Sequence, residues 1–235
     1  MFKQSVIIGG GVLLLNKFKV FDVIGPVMVG PSSSHTAGAA RLGKMVRNLT
    51  GEDIRKVNFI LYGSFAATYK GHGTDKALLA GIMNIEPEDY RLRNAFEIAK
   101  EKGICYLFSP DHTRTDVHPN TVRFEITTIN DHFVTAEGSS IGGGSIIITE
   151  INGVPTRFTG EKPILITKHH DTPGVVSSIT ALLYKKRLNI ANMKVSRIQD
   201  SDEAIMYIEL DKAANIKILK KSIQKIKGIK QVQII

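Results

Sequence analysis

Thiols are nearly absent from this 235-residue sequence, which has one cysteine, Cys105. A lone thiol forms no disulfide within its chain and cannot by itself build a zinc or iron–sulfur site. That usage fits a reducing compartment such as the cytoplasm. A bilayer-spanning run is also missing. The opening stretch MFKQSVIIGGGVLLL has one early lysine, an apolar run broken by glycines and no small-residue cleavage site behind it. Gly9-Gly10-Gly11 lacks the G-x-G-x-x-G spacing of a dinucleotide fingerprint. Residues 1–17 therefore read as an N-terminal extension, and no membrane partner is expected.

Acidic residues are scarce toward the end of the chain. The formal net charge is +9, and from Pro163 onward thirteen Lys/Arg face only six Asp/Glu. Such a block raises the possibility of a nucleic-acid surface. Its spacing gives a plainer reading. Ile216, Leu219, Ile223 and Ile226 form one helical stripe, with Lys217, Lys220, Lys221 and Lys225 lying off it. The lysines are then the wet face of a helix that covers a sheet, and no nucleic-acid partner is expected.

With 43% apolar and 23% charged residues, the chain has the composition of a globular protein with a real core. Two α+β units are expected, residues 18–160 and 163–235, divided near Gly160–Pro163. In the first, a Gly/Pro/Ser segment through Thr36 precedes a helix on which Leu42, Met45, Val46 and Leu49 share a face, with Gly51 as its stop. Val57–Tyr62 reads as a strand, Lys70–Asp75 as a glycine-flanked turn, and Thr74 as the cap of a helix through Leu78, Leu79 and Ile82. A helix from about Tyr90 to Lys102 stops at Gly103. A strand to Phe108 and a polar loop over Ser109–Asn120 follow. Val122, Phe124 and Ile126 alternate as in a half-buried strand, and Asn152-Gly153 is a hairpin signal. The second unit reads strand, helix, strand, strand, helix, strand, which is the ferredoxin-like βαββαβ order.

Two loops carry residues suited to chemistry. In Gly30-Pro31-Ser32-Ser33-Ser34-His35-Thr36, three hydroxyls and unpaired backbone N–H groups gather at a helix start, where the helix dipole favours a carboxylate. His35 is available there for a hydrogen bond or a proton. Alternatively, one serine simply caps the helix. In Tyr69-Lys70-Gly71-His72-Gly73-Thr74-Asp75, flanking glycines let the backbone bend and bring the His72 imidazole to a ligand, where it can exchange a proton near neutral pH. It reads equally as a turn histidine with no task. Ser139–Gly144 is either a close-approach segment or a β-bulge. His112, His118, Asp111 and Asp116 match no standard metal spacing, and His169-His170 sit at a strand end. No metal is expected to be held by this chain.

The segments FDVIGPVMVGPSSSHTAGAARLG (Phe21–Gly43), YGSFAATYKGHGTDKALLAG (Tyr62–Gly81), VHPNT (Val117–Thr121) and SIGGG (Ser140–Gly144) resemble the beta subunit of bacterial iron–sulfur L-serine dehydratase. The remainder, with Asp171-Thr172-Pro173-Gly174-Val175, looks like an ACT domain, a small-molecule regulatory module. The resemblance implies a partner alpha subunit that holds a 4Fe–4S cluster, with no pyridoxal phosphate, and L-serine as substrate. It also implies that this chain is inactive by itself. By resemblance His72 matches the family's expected base, and His35 matches a residue holding the substrate carboxylate with Ser32, Ser33, Ser34 and Thr36. Thr74 and His118 join the substrate-binding set. Asp171, Gly174 and Val175, with Asn189 and Asn192 approaching from a neighbouring copy, are the expected contacts of an effector amino acid. Pro173 and Gly174 serve equally well simply to start a helix. The first unit also looks like the allosteric substrate-binding domain of some D-3-phosphoglycerate dehydrogenases, so a non-catalytic, amino-acid-sensing role is the alternative.

Overall fold

The computed structural model describes residues 27–198, 200–212 and 215–235, with the backbone of two short strands, β1 (Ile7–Ile8) and β2 (Gly11–Val12), paired antiparallel. The rest of the expected extension 1–17, the expected start of the fold at Phe18–Ile24 and the expected helix start at Ala213 lie outside the described residues.

Period-2 alternation builds the first sheet. Its strands are β3 (Ile54–Tyr62), β4 (Cys105–Asp111), β5 (Thr121–Thr128), β6 (Phe133–Gly142), β7 (Ser145–Ile151) and β8 (Val154–Phe158), in the order β4-β3-β5-β6-β7-β8. Val57, Phe59 and Leu61 of β3 and Val122, Phe124 and Ile126 of β5 turn one way and are fully buried. Phe59 stacks on Phe108 at 4.8 Å and meets Phe124 edge-on at 5.5 Å. β3 and β4 pair in parallel, which requires a long crossover, and the intervening helices supply it. α1 (Ala39–Thr50) precedes β3, and the crossover helices are α2 (Gly63–Thr68), α3 (Thr74–Ile82) and α4 (Ala95–Glu101).

α1 and α3 are in backbone contact. A Cβ added at Gly43 would lie 2.4 Å from the Leu78 carbonyl, and one at Gly81 would lie 2.1 Å from the Ala40 carbonyl. Glycine is thus needed at both positions for this approach. The contacts advance together along the chain: Thr36 beside His72, Gly43 over Leu78, and Lys44 paired with Glu86. The helices therefore run parallel, with both N-termini at one end.

The second sheet has β9 (Ile164–His170), β10 (Ile190–Arg197), β11 (Glu203–Leu210) and β12 (Ile229–Ile234) in the order β10-β11-β9-β12. All its pairs are antiparallel. With α5 (Val175–Lys185) and α6 (Ile216–Gln224) on one face, this is the ferredoxin-like arrangement. Leu165, Ile179, Leu183, Met206, Ile208, Leu219, Ile223 and Val232 form its core. The opposite face turns to the first lobe: Ile164 and Tyr207 belong to that lobe's core, and Phe158 meets Tyr207 at 5.7 Å.

The structure moves several expected elements. Helical backbone begins inside the serine run as a π turn, Ser33–Gly38, because the Ser32 hydroxyl accepts from the His35 N–H at 3.2 Å and opens the helix there. Thr74 is not a cap: Gly73, at φ 69°, occupies the cap position, and the buried Thr74 hydroxyl has no hydrogen-bond partner among the described residues. Tyr90–Asn94 is a 3-10 turn, capped by Asp89, and the α-helix starts only at Ala95. The expected polar loop begins as strand, since β4 runs to Asp111 on the parallel ladder with Tyr62. Ile216 leaves the apolar stripe and is exposed, while Leu219 and Ile223 stay buried. The register shift between Ser140 and Gly142 favours the bulge reading of the glycine run. Among the described residues, no helix is long and apolar enough to cross a membrane.

Candidate active site

The parallel packing of α1 and α3 delivers the two singled-out loops to one place. His35 and His72 meet edge to face, with ring centroids 4.7 Å apart. Thr36 adds a bond from its hydroxyl to the His72 carbonyl at 3.4 Å. His35 is half-buried, and both of its ring nitrogens lie beside serines: Nδ1 is 3.4 Å from Ser32 Oγ and Nε2 is 3.0 Å from Ser64 Oγ. Phe65 packs against the same ring at 5.3 Å. Such fixation sets the orientation of the ring, and the serine hydroxyls rotate to suit either tautomer. His72 is exposed at the tip of its turn.

Burial lowers the His35 pKa below the ordinary histidine value, and the nearby His72 lowers it further. Both causes disfavour a second positive charge in the pair. Two helix N-termini meet here, so the local backbone field attracts a carboxylate while half-burial favours the neutral imidazole of His35.

The expected carboxylate-binding set divides. The hydroxyls of Ser32 and Thr36 are committed to the protein, one to the His35 N–H and the other to the His72 carbonyl. Ser33 and Ser34 are half-buried and, among the described residues, their side chains make no hydrogen bond. Thr74 contributes a fully buried hydroxyl at the start of α3 that is unpartnered among the described residues. A cavity of about 270 Å³ opens beside His72, edged by Gly30, Thr36, Lys70, Lys76 and Arg93.

His118 stands in the adjoining loop. Pro119 accepts the Phe65 N–H at 3.2 Å, and a Cβ at Gly63 would lie 2.8 Å from the Pro119 Cα, so this loop is pressed against the start of α2. His118 is exposed, and its Nδ1 accepts the Asn120 N–H at 3.2 Å, leaving Nε2 as the outward atom. Arg114 ties the loop down. Its guanidinium bonds to the buried Glu137 at 2.6 and 3.3 Å and lies over the Tyr62 ring at 5.1 Å, and the carboxylate raises its pKa.

Sequence reasoning passed over Ser64, Phe65 and Arg114. The signal was present for the first two, since Gly63-Ser64-Phe65 lies between a strand end and a glycine-rich turn. A six-residue helix, however, has too little periodicity to be read as one.

The expected effector residues occupy two ends of the second sheet. Asp171 follows β9, and its Oδ2 lies 2.5 Å from Arg197 Nε. Gly174 caps α5 at φ 95°, and the Val175 N–H reaches the Thr172 carbonyl at 3.4 Å. Asn189 lies at the far end, bonded to Asp211 at 2.5 Å, and Asn192 donates to the Arg157 carbonyl at 3.4 Å. Within one chain the two asparagines are not brought to the Asp171 loop.

Residues 19–106 match the family described as serine dehydratase beta chain, and residues 165–231 match an AHAS small subunit-like ACT domain. The chain is 44% identical over 202 residues to a probable L-serine dehydratase beta chain of Bacillus subtilis, covering 85% of this chain and 90% of that one. It is 37% identical over 198 residues to the L-serine dehydratase beta chain of Peptoniphilus asaccharolyticus, covering 84% and 89% respectively. A D-3-phosphoglycerate dehydrogenase of Synechocystis is 30% identical over 175 residues, spanning 74% of this chain but only 31% of that longer protein.

Proposed function

The chain belongs to the L-serine dehydratase beta chain family, and from that premise we propose that it is the beta subunit of an iron–sulfur enzyme converting L-serine to pyruvate and ammonia. The observation that carries the catalytic part is the 4.7 Å meeting of His35 and His72 at the joined helix starts.

In this reading His72, on the exposed turn, takes the proton from Cα of serine. That proton is weakly acidic, and the negative charge left behind spreads into the substrate carboxylate. Ser33, Ser34, Thr74 and the backbone N–H groups at the two helix starts hold that carboxylate and stabilise it as charge develops. His35 stays neutral, fixed between Ser32 and Ser64, and presents one face to the bound amino acid. His118 Nε2 closes the rim. Loss of the hydroxyl as water gives aminoacrylate, whose imine tautomer takes up water to release ammonia and pyruvate.

A 4Fe–4S cluster on the alpha subunit supplies the Lewis acid for the departing hydroxyl. The donor set of this chain does not fit such a cluster: its one thiol, Cys105, is exposed on the edge strand β4. The cluster is accordingly assigned to the partner, and the functional unit is a heteromer of the two subunits.

The second lobe supplies regulation in the same reading, sensing an amino acid at the Asp171–Val175 loop. In the alternative, the whole chain is a sensor without catalytic residues. Turnover in the anaerobically assembled complex separates the two readings. His72→Ala is expected to remove most serine-dependent pyruvate formation while the complex still assembles. Full activity in that variant would remove His72 as base and favour the sensor.

A further inference from the structure

A cavity of about 760 Å³ lies at the seam of the two lobes, away from the histidine pair. We propose that it binds a small carboxylate with an apolar body, at a site distinct from both the histidine pair and the Asp171 loop.

Its size is that of a small-molecule site, and its walls come from both lobes. Leu49, Val134 and Ile151 line it from the first lobe, and Ile166, Ile198 and Ile205 from the second. These aliphatic walls set the body of the ligand.

The head follows from the polar groups. Tyr207 lines the cavity at 1% exposure, and among the described residues its hydroxyl makes no hydrogen bond. The Tyr207 hydroxyl is not an enclosed orphan atom, so it is reachable from the cavity and can donate to a ligand acceptor. Burial pushes its pKa up to about 12, which keeps it an O–H donor. Gln231 adds a further donor, and Lys168 and Arg197, held by Glu203 at 2.6 Å and by Asp171 at 2.5 Å, each keep N–H groups beyond those pairs. The only carboxylate in the lining among the described residues, Glu52, is already held by His132 at 2.9 Å and by Asn130 at 3.2 Å. Donors in excess select an acceptor-rich head.

Arg197 also holds Asp171 at 2.5 Å. A carboxylate in the seam competes for that guanidinium and so reaches the Asp171 loop through one side chain. Any such coupling is reciprocal.

Calorimetric titration of the full chain with isovalerate tests the site, with isobutylamine as a probe of the same shape lacking the acceptor head. Isovalerate should saturate and isobutylamine should not. Tyr207→Phe, which keeps the ring and its packing, should weaken isovalerate about tenfold, the scale of one lost hydrogen bond to a charged group. Gln231→Leu should weaken it too, and Ile151→Trp should fill the cavity and abolish binding in a chain whose circular dichroism is unchanged. Absence of saturable isovalerate binding overturns the proposal. So does binding undiminished by Tyr207→Phe. Neither result depends on turnover, so the assignment of His72 stands or falls separately.

Discussion

Ser64 Oγ lies 3.0 Å from His35 Nε2, joining positions 29 residues apart in the sequence. The bond reaches from the short helix α2 to the start of the π turn before α1, and it fixes the imidazole that stands against His72.

Removing that bond should affect the site more than the fold. Ser64→Ala is expected to lower kcat of the assembled enzyme about tenfold, the scale of one positioning hydrogen bond. Stability should change by less than about 1 kcal/mol, since Ser64 is only half-buried. Steady-state kinetics and a urea titration measure the two. An unchanged kcat would leave His35 without need of Ser64.

The glycine contact between α1 and α3 should tolerate no side chain. Gly81→Ala places a Cβ 2.1 Å from the Ala40 carbonyl, and the helices must part to admit it. The expected cost is about 1–3 kcal/mol, together with lost activity as the histidines separate. Gly73→Ala is the control. It has open space and φ 69°, so only the left-handed backbone penalty of about 1–2 kcal/mol applies.

Two histidines make the fold sensitive to acid in one direction. Burial lowers the pKa of both His35 and His169. Between each lowered value and the ordinary 6.5, the unfolded chain binds more protons than the folded one, so stability rises with pH across that window and falls as pH is lowered through it. Thermal melts from pH 5 to pH 7 should climb. Replacing His169, which is 1% exposed, with Gln should flatten part of the climb. A melt independent of pH in that range would contradict the reading.

Arg114→Gln should free the His118 loop. Glu137 then keeps a buried carboxylate without its bidentate partner, at a cost of about 2 kcal/mol. A double-mutant cycle with Glu137→Gln isolates the pair, and the second substitution should restore much of the loss. Serine KM is expected to rise, because the rim of the site is displaced. Unaltered KM would separate Arg114 from the substrate.

Much of this was legible in the sequence because the signals were local. Alternation at Val122, Phe124 and Ile126, the Asn152-Gly153 hairpin, and the βαββαβ order each follow from a few consecutive residues. The serine and glycine loops were visible as chemistry, with His35 and His72 already singled out. Their meeting was not, because it depends on Gly43 and Gly81 packing two helices backbone to backbone. Neither glycine shows in its own segment what it will touch. Thr74 was misread as a cap for a related reason: Thr is a good capping residue, but the left-handed Gly73 took that role and left Thr74 inside the first turn. The seam cavity was beyond reach, since it exists only where two separately readable units face each other.

Tyr207 and Ile164 are counted by position with the second sheet and by packing with the first lobe. A chain shortened at Gly160 would therefore bare Phe158 and its aliphatic neighbours, and the remaining piece would lose the other half of its sheet packing. Each fragment would tend to stick to itself. Transplanting one lobe into another protein thus calls for repainting that surface with polar residues first, so the pair is better treated as one manufactured part than as two beads on a string.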